Sequence, residues 1–228
     1  MAMKPLFSIL VMSHNRLPLL LQALDTAQAQ NYPNLEILIV DSGSLVDKIP
    51  PGRIAPFTKI IASGESPDLH KTTAMPSWIQ NKFIGQLNGE WITCLSDDDL
   101  LLPTYISAFA DRVSEGDAPA FLYTGQFRVR ANQDGAIYEM LHIQPADKTR
   151  GPGEFDCKID YLQCAVNRAM WNTLYQQYHN MPYPEELESS NHADGVFMER
   201  ASLITPAIPV QGFHCFNRRT PSSRYCGA

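Results

Sequence analysis

Three apolar runs in the first half of the chain each stop abruptly in a polar cluster. Leu6–Met12 runs into Ser13-His-Asn-Arg16, Leu35–Val40 into Asp41-Ser-Gly-Ser44, and Trp91–Leu95 into Ser96-Asp-Asp-Asp99. Continuous apolar runs of this length read as strands buried on both faces. Between the first two lies Leu17–Gln30, apolar at Leu17, Leu20, Leu21, Leu24 and Ala27, which is helical spacing broken by Asn31-Tyr-Pro-Asn34. Lys59–Ala62 is a weaker strand. Thr72–Leu87 carries a helical pattern with Pro76 inside it and Asn88-Gly89 at its end. Pro103 stands at the first turn of a further helix that runs to Val113. Buried strands alternating with helices predict an α/β fold with a mostly parallel central sheet and helices on both faces. Ligands bind such sheets outside the carboxyl ends of the strands, so the three polar clusters are expected to share one site.

The second half reads differently. Ala120–Arg130 and Ala136–Leu141 flank Asn132-Gln-Asp-Gly135 and predict an antiparallel hairpin, a small extension of the sheet. Gln144–Asp156 and His179–His192 read as surface loops, Arg168–Tyr178 and Asp194–Ser202 as helices, and Leu203–Val210 as a strand. Residues from Gly212 onward, with Arg218, Arg219 and Arg224, read as a basic tail. A single domain over 1–228 is expected, with a nucleotide-binding-like half at about 1–118 and an acceptor-side half at about 119–228.

Charge and cysteine content narrow the classes. The 228 residues carry 18 basic and 24 acidic side chains, a net charge of −6, which disfavours a protein that coats nucleic acid. No apolar run reaches the ~18–20 residues of a membrane span, so no stable membrane insertion is expected, and no signal peptide is read. Cys94, Cys157, Cys164, Cys215 and Cys226 are odd in number and lack a Cys-x-x-Cys pair, which fits reduced thiols and a cytoplasmic protein.

Asp97, Asp98 and Asp99 follow a strand directly. Like charges so placed call for a cation or for water, and carboxylates suit Mg²⁺ or Mn²⁺ beside substrate phosphates; the alternative is a solvated loop capping the next helix. No P-loop, dinucleotide-binding glycine pattern or nucleophile elbow is present.

The stretches Phe7–Arg16 and Gln30–Ser44, then Asn81 and Gly89–Pro103, taken in that order, resemble family 2 glycosyltransferases with the GT-A fold over about residues 5–113. The resemblance implies an inverting transferase that takes a nucleoside-diphosphate sugar, a UDP-sugar first, and a hydroxyl acceptor on a glycan, lipid, protein or modified nucleobase. It implies Mn²⁺ or Mg²⁺ as cofactor. Ser13, His14, Asn15, Arg16, Asp41, Ser42, Asn81 and Asp97 would line the nucleotide-sugar pocket, with Asp41 facing the base. Asp98 would be the metal ligand, with Asp99 and His214 as further candidates. The chain departs from the family pattern at Ser42, where a second Asp is common, and at Ser96, where the metal motif usually begins with Asp. Ala193-Asp-Gly195 resembles the element that carries the family's catalytic base, which makes Asp194 the candidate, with Glu185, Glu186, Glu188 and Glu199 as competitors. The Asp160–Arg168 stretch resembles the strand leading to it. A nucleotidyltransferase and a non-catalytic nucleotide-sugar-binding module are the rival readings.

Overall fold

The computed structural model describes residues 4–221 except 66, 118, 156–158, 190 and 191. Cys157, Cys226 and Arg224 lie outside the described residues. In chain order the elements are β1 (Phe7–Ser13), α1 (Leu17–Gln28), β2 (Leu35–Asp41), β3 (Thr58–Ala62), α2 (Met75–Phe83), β4 (Trp91–Ser96), β5 (Leu100–Leu101) and α3 (Tyr105–Val113). They continue with β6 (Phe121–Ala131), β7 (Ile137–Gln144), β8 (Cys164–Asn167), α4 (Arg168–Gln177), α5 (Ala193–Ser202) and β9 (Ile208–Arg219).

One nine-stranded sheet runs in the order β3-β2-β1-β4-β8-β6-β9-β5, with β7 hydrogen-bonded to β6. β3, β2, β1 and β4 are parallel to their neighbours. Beyond β4 the sheet is mixed: β8 is antiparallel to β4 and β6, while β6 and β9 are parallel. Alternation along the strands divides the core. Leu10, Met12, Leu38 and Val40 face α2, α4 and α5, and Ile9, Val11, Ile37 and Ile39 face α1 and α3. Both faces of β1 and β2 are therefore covered, the physical reason their sequences are apolar without alternation.

Two elements differ from expectation. α2 starts at Met75 rather than Thr72 because Pro76 belongs in a first helical turn, and the pattern ends as a 3₁₀ turn at Ile84–Gln86. The last strand does not begin at Leu203, which closes α5; it spans Ile208–Arg219 and takes in Gly212–Arg219 of the supposed tail. Arg218 is 1% exposed, a buried strut rather than a solvated end. No helix among the described residues is long and apolar enough to cross a membrane.

Candidate active site

Register brings the polar clusters together. Ser13 pairs with Asp41 at the end of β1–β2, and Met12 pairs with Ser96 at the end of β1–β4. Asp97 is the hub. Its Oδ2 accepts from the Ser13 hydroxyl at 3.1 Å, the His14 N–H at 3.3 Å and Arg16 Nε at 3.2 Å, and Arg16 Nη2 pairs with its other oxygen. Arg16 Nη1 also meets Asp98 Oδ2 at 2.8 Å. Burial pushes the Asp97 pKa up to about 6 even though Arg16 pulls the other way, and the charge of Asp98 adds to the rise. Burial works against the charge on Arg16, but the two carboxylates outweigh it and its pKa goes up.

Asp41 is wholly buried. Its Oδ2 accepts the Leu45 N–H at 2.6 Å, while Oδ1 has no hydrogen-bond partner. A buried carboxylate oxygen left so is costly and uncommon. Ser42 donates its N–H and its hydroxyl to the Ser13 carbonyl, and its own carbonyl accepts from His14 Nδ1 at 3.1 Å and His70 Nε2 at 3.0 Å. The two imidazoles lie 4.3 Å apart, so His70 joins the site. Asn15 sits at φ +54° and accepts the Ser44 N–H at 2.9 Å. A Cβ on Gly43 would collide with its amide, so this turn requires glycine.

Three expected site residues are engaged elsewhere. Asn81 is buried in α2 and holds the 183–185 segment: it donates to the Tyr183 carbonyl and Glu185 Oε1, both at 2.8 Å, and accepts the Tyr183 N–H. Asp99 is 5% exposed and accepts the Arg218 N–H at 2.9 Å, which anchors β9; burial and the charges of Asp98 and Asp160 hold its pKa well above the usual range. His214 turns Nδ1 to the Thr104 hydroxyl at 2.9 Å and Nε2 to the Gln211 carbonyl at 3.0 Å. Among the described residues no group of three or more His, Cys, Asp or Glu could hold a metal ion. Ser96, in the first position of the expected acidic motif, meets the Tyr161 hydroxyl. The protein side thus offers one carboxylate, Asp98, at the mouth of the site. That fits a cation of the Mg²⁺ type only where phosphate oxygens and water complete its shell.

Asp194 is the second residue of α5, not its N-cap, and accepts the Tyr161 N–H at Oδ2 from 3.4 Å. Desolvation by the surrounding protein pushes its pKa up to about 8, and the charge of Asp160 adds to the push. Tyr161 links Asp194 to the acidic loop, one end through its N–H and the other through its hydroxyl on Ser96. Among the competitors, Glu199 accepts the Gly153 and Phe155 N–H groups and Glu185 is tied to Asn81, whereas Glu186 and Glu188 are exposed. Tyr161, Asp160, His70 and Arg218 were not singled out as site residues from sequence, since no local spacing marks them.

A parallel sheet, an acid loop at its carboxyl edge and a mixed extension behind it define the GT-A class of glycosyltransferase fold. Residues 1–349 of S. aureus TarS, solved with UDP-GlcNAc, superpose with a TM-score of 0.68 at 14% identity, over 96% of this chain and 60% of that one. The mannosyltransferase PcManGT from Pyrobaculum calidifontis, solved with GDP-Man and Mn²⁺, gives 0.61 at 14% identity, over 95% and 57%. The chain belongs to glycosyl transferase family 2, whose model matches residues 8–170. Protein CgeD of Bacillus subtilis is 22% identical over 223 residues, 95% of this chain and 50% of that protein. The GalNAc(5)-diNAcBac-PP-undecaprenol beta-1,3-glucosyltransferase of Campylobacter jejuni is 29% identical over 125 residues, 51% of this chain and 37% of that protein. The chain spans half or less of the length of these two relatives.

Proposed function

We propose that the protein transfers a sugar, with inversion, from a nucleoside-diphosphate donor to an acceptor hydroxyl, and that the donor is a UDP-sugar. The observation that carries this reading is the buried, unpartnered Asp41 Oδ1 at the same sheet edge as Asp97 and Asp98. A nucleobase N–H satisfies that oxygen, and the Ser13–Arg16 turn with Ser42 lines the nucleoside. Asp97, already fixed by Ser13, His14 and Arg16, holds the ribose side of the pocket. Asp98 would hold Mn²⁺ or Mg²⁺, which would supply neutralisation of the charge on the departing nucleoside diphosphate. Arg16 is already at that carboxylate and is the chain's own cation for the same phosphates.

Asp194 receives the proton of the attacking hydroxyl at its carboxylate. Attack from the face opposite the leaving group inverts the anomeric centre. A base with a pKa near the working pH is well matched to this step, and such help is typically worth ~10²–10⁴ in rate. The raised pKa of Asp194, caused first by desolvation, supports that role.

A thermal-shift series tests the reading, with UDP, GDP and their sugars, each with and without Mn²⁺. A ligand that binds only the native state raises its stability by RT ln(1 + [L]/Kd). The expected result is a shift for UDP and its sugars that grows with Mn²⁺; no shift with any nucleotide contradicts the proposal.

A further inference from the structure

We propose that Tyr161 is a positioning residue for the transfer: it fixes the acid loop and the Asp194 carboxylate at one separation, with Ser96 as the partner that holds its hydroxyl. The inference rests on the reading of Asp194 as the base, and it gives a task to Ser96, where the chain departs from the family's acidic motif.

Tyr161 opens a 3₁₀ turn, Tyr161–Gln163, that is fastened on several sides. The side chains of Asp160 and Gln163 cap it reciprocally. Gln126 donates to Asp160 Oδ2 at 2.9 Å, Gln163 Nε2 to the Thr124 carbonyl at 2.8 Å, and the Tyr105 hydroxyl to the Leu162 carbonyl at 2.7 Å. The half-buried Tyr161 ring packs against both hydrophobic cores. Two contacts run from this fixed turn to the site. The Tyr161 backbone N–H donates to Asp194 Oδ2 at 3.4 Å, and the hydroxyl is hydrogen-bonded to the Ser96 hydroxyl, directly before Asp97 and Asp98 in the chain. In the proposed transfer the leaving group departs at Asp98 and the acceptor proton goes to Asp194. The reacting bond thus forms between two groups that one residue ties together, where a misplacement of ~1 Å can cost ~10²-fold in rate.

Burial pushes the pKa of the Tyr161 phenol up, and the charges of Asp194, Asp99 and Asp98 add to the push. The phenol therefore stays neutral, and a serine suits it: an aspartate at 96 would add a further carboxylate to that group. Neither the donor pocket nor the turn depends on the tie. Asp97 is held by Ser13, His14 and Arg16, and the turn by the bonds of Gln126, Gln163 and Tyr105. Loss of the tie therefore acts on rate rather than on donor binding or folding.

The test is release of UDP from UDP-GlcNAc, UDP-glucose and UDP-galactose by the wild type, Tyr161→Phe, Ser96→Ala, the double variant and Ser96→Thr. UDP affinity by calorimetry and melting temperature are measured on each protein. We expect kcat to fall ~fivefold or more in Tyr161→Phe and in Ser96→Ala, with UDP affinity unchanged. The double variant should lose no more than the larger single loss, as for the two ends of one contact, and Ser96→Thr should keep most of the rate. A wild-type rate in Tyr161→Phe, or losses that multiply in the double variant, overturns the proposal. A fall in UDP affinity that matches the fall in kcat also overturns it, because Tyr161 then shapes the donor pocket. Asp194→Asn, run alongside, separates the two readings. Its loss of rate beside an unimpaired Tyr161→Phe overturns the tie alone; a wild-type rate in Asp194→Asn, or release from no sugar by the wild type, overturns the base and the tie together.

Discussion

Arg218 donates its backbone N–H to Asp99 Oδ1 at 2.9 Å, across 119 residues of chain. Its guanidinium also donates to the Asp98 carbonyl, to Gln22 Oε1 and to the Gly135 carbonyl. One buried side chain thus ties the acid loop to α1, to the turn of the β6–β7 hairpin and to the last strand. The acid loop holds its shape from behind, with Arg16 in front.

Replacing Arg218 by Met removes the donor to the buried Asp98 and Gly135 carbonyls and to the part-buried Gln22 Oε1. Each unsatisfied group costs ~1–3 kcal/mol and a broken buried ion network ~3–5 kcal/mol. The expected loss in urea unfolding is about 3 kcal/mol or more. A loss below ~0.5 kcal/mol, the range of an ordinary surface change, contradicts the strut.

Asp41→Asn keeps an oxygen for the Leu45 N–H and replaces the unpartnered oxygen by a donor. Affinity for bare UDP is expected to fall about tenfold or more, the worth of one hydrogen bond to a charged acceptor. Calorimetry is the measurement, and unchanged affinity removes Asp41 from the pocket.

Asp98→Asn is expected to abolish the Mn²⁺-dependent part of the UDP thermal shift while the fold survives. Removing one of several crowded carboxylates relieves repulsion, so the ligand-free melting temperature should hold or rise. A full Mn²⁺ response in this variant would move the cation elsewhere.

Asp194 makes stability fall as pH rises. Its folded pKa, about 8, lies above the ordinary aspartate value of 3.8, so the native state binds the extra proton between them. The slope of stability against pH is negative where the native state binds more protons, and the penalty is complete above pH 8. Asp194→Asn removes it, so this variant should gain stability over wild type at pH 8 and lose that advantage near pH 4. Equal differences at both pH values contradict the raised pKa.

The parts of the fold set by local pattern were legible in the chain. β1, β2 and β4 are apolar because both faces are covered, and the polar clusters that end them converge through parallel register. β9 was not, because Arg218 reads as part of an exposed end until its partners at Gln22, Asp98 and Gly135 are in place. The hold of Asn81 on the 183–185 segment was illegible for the same reason: its partners lie 102 and 104 residues away. The acidic loop showed its composition but not its division of labour. Asp99 faces inward to β9 and Asp98 outward to Arg16, a difference of direction along adjacent residues that no spacing rule reports.

The most direct test of the transferase reading is release of nucleoside diphosphate from a panel of UDP- and GDP-sugars, to acceptor or water. Wild type and Asp194→Asn are compared, with donor affinity measured alongside. The account predicts Mn²⁺-stimulated release by the wild type from a UDP-sugar, and a loss of ~10²-fold or more in Asp194→Asn at unchanged donor affinity. Release from no donor, or Asp194→Asn working at the wild-type rate, contradicts it.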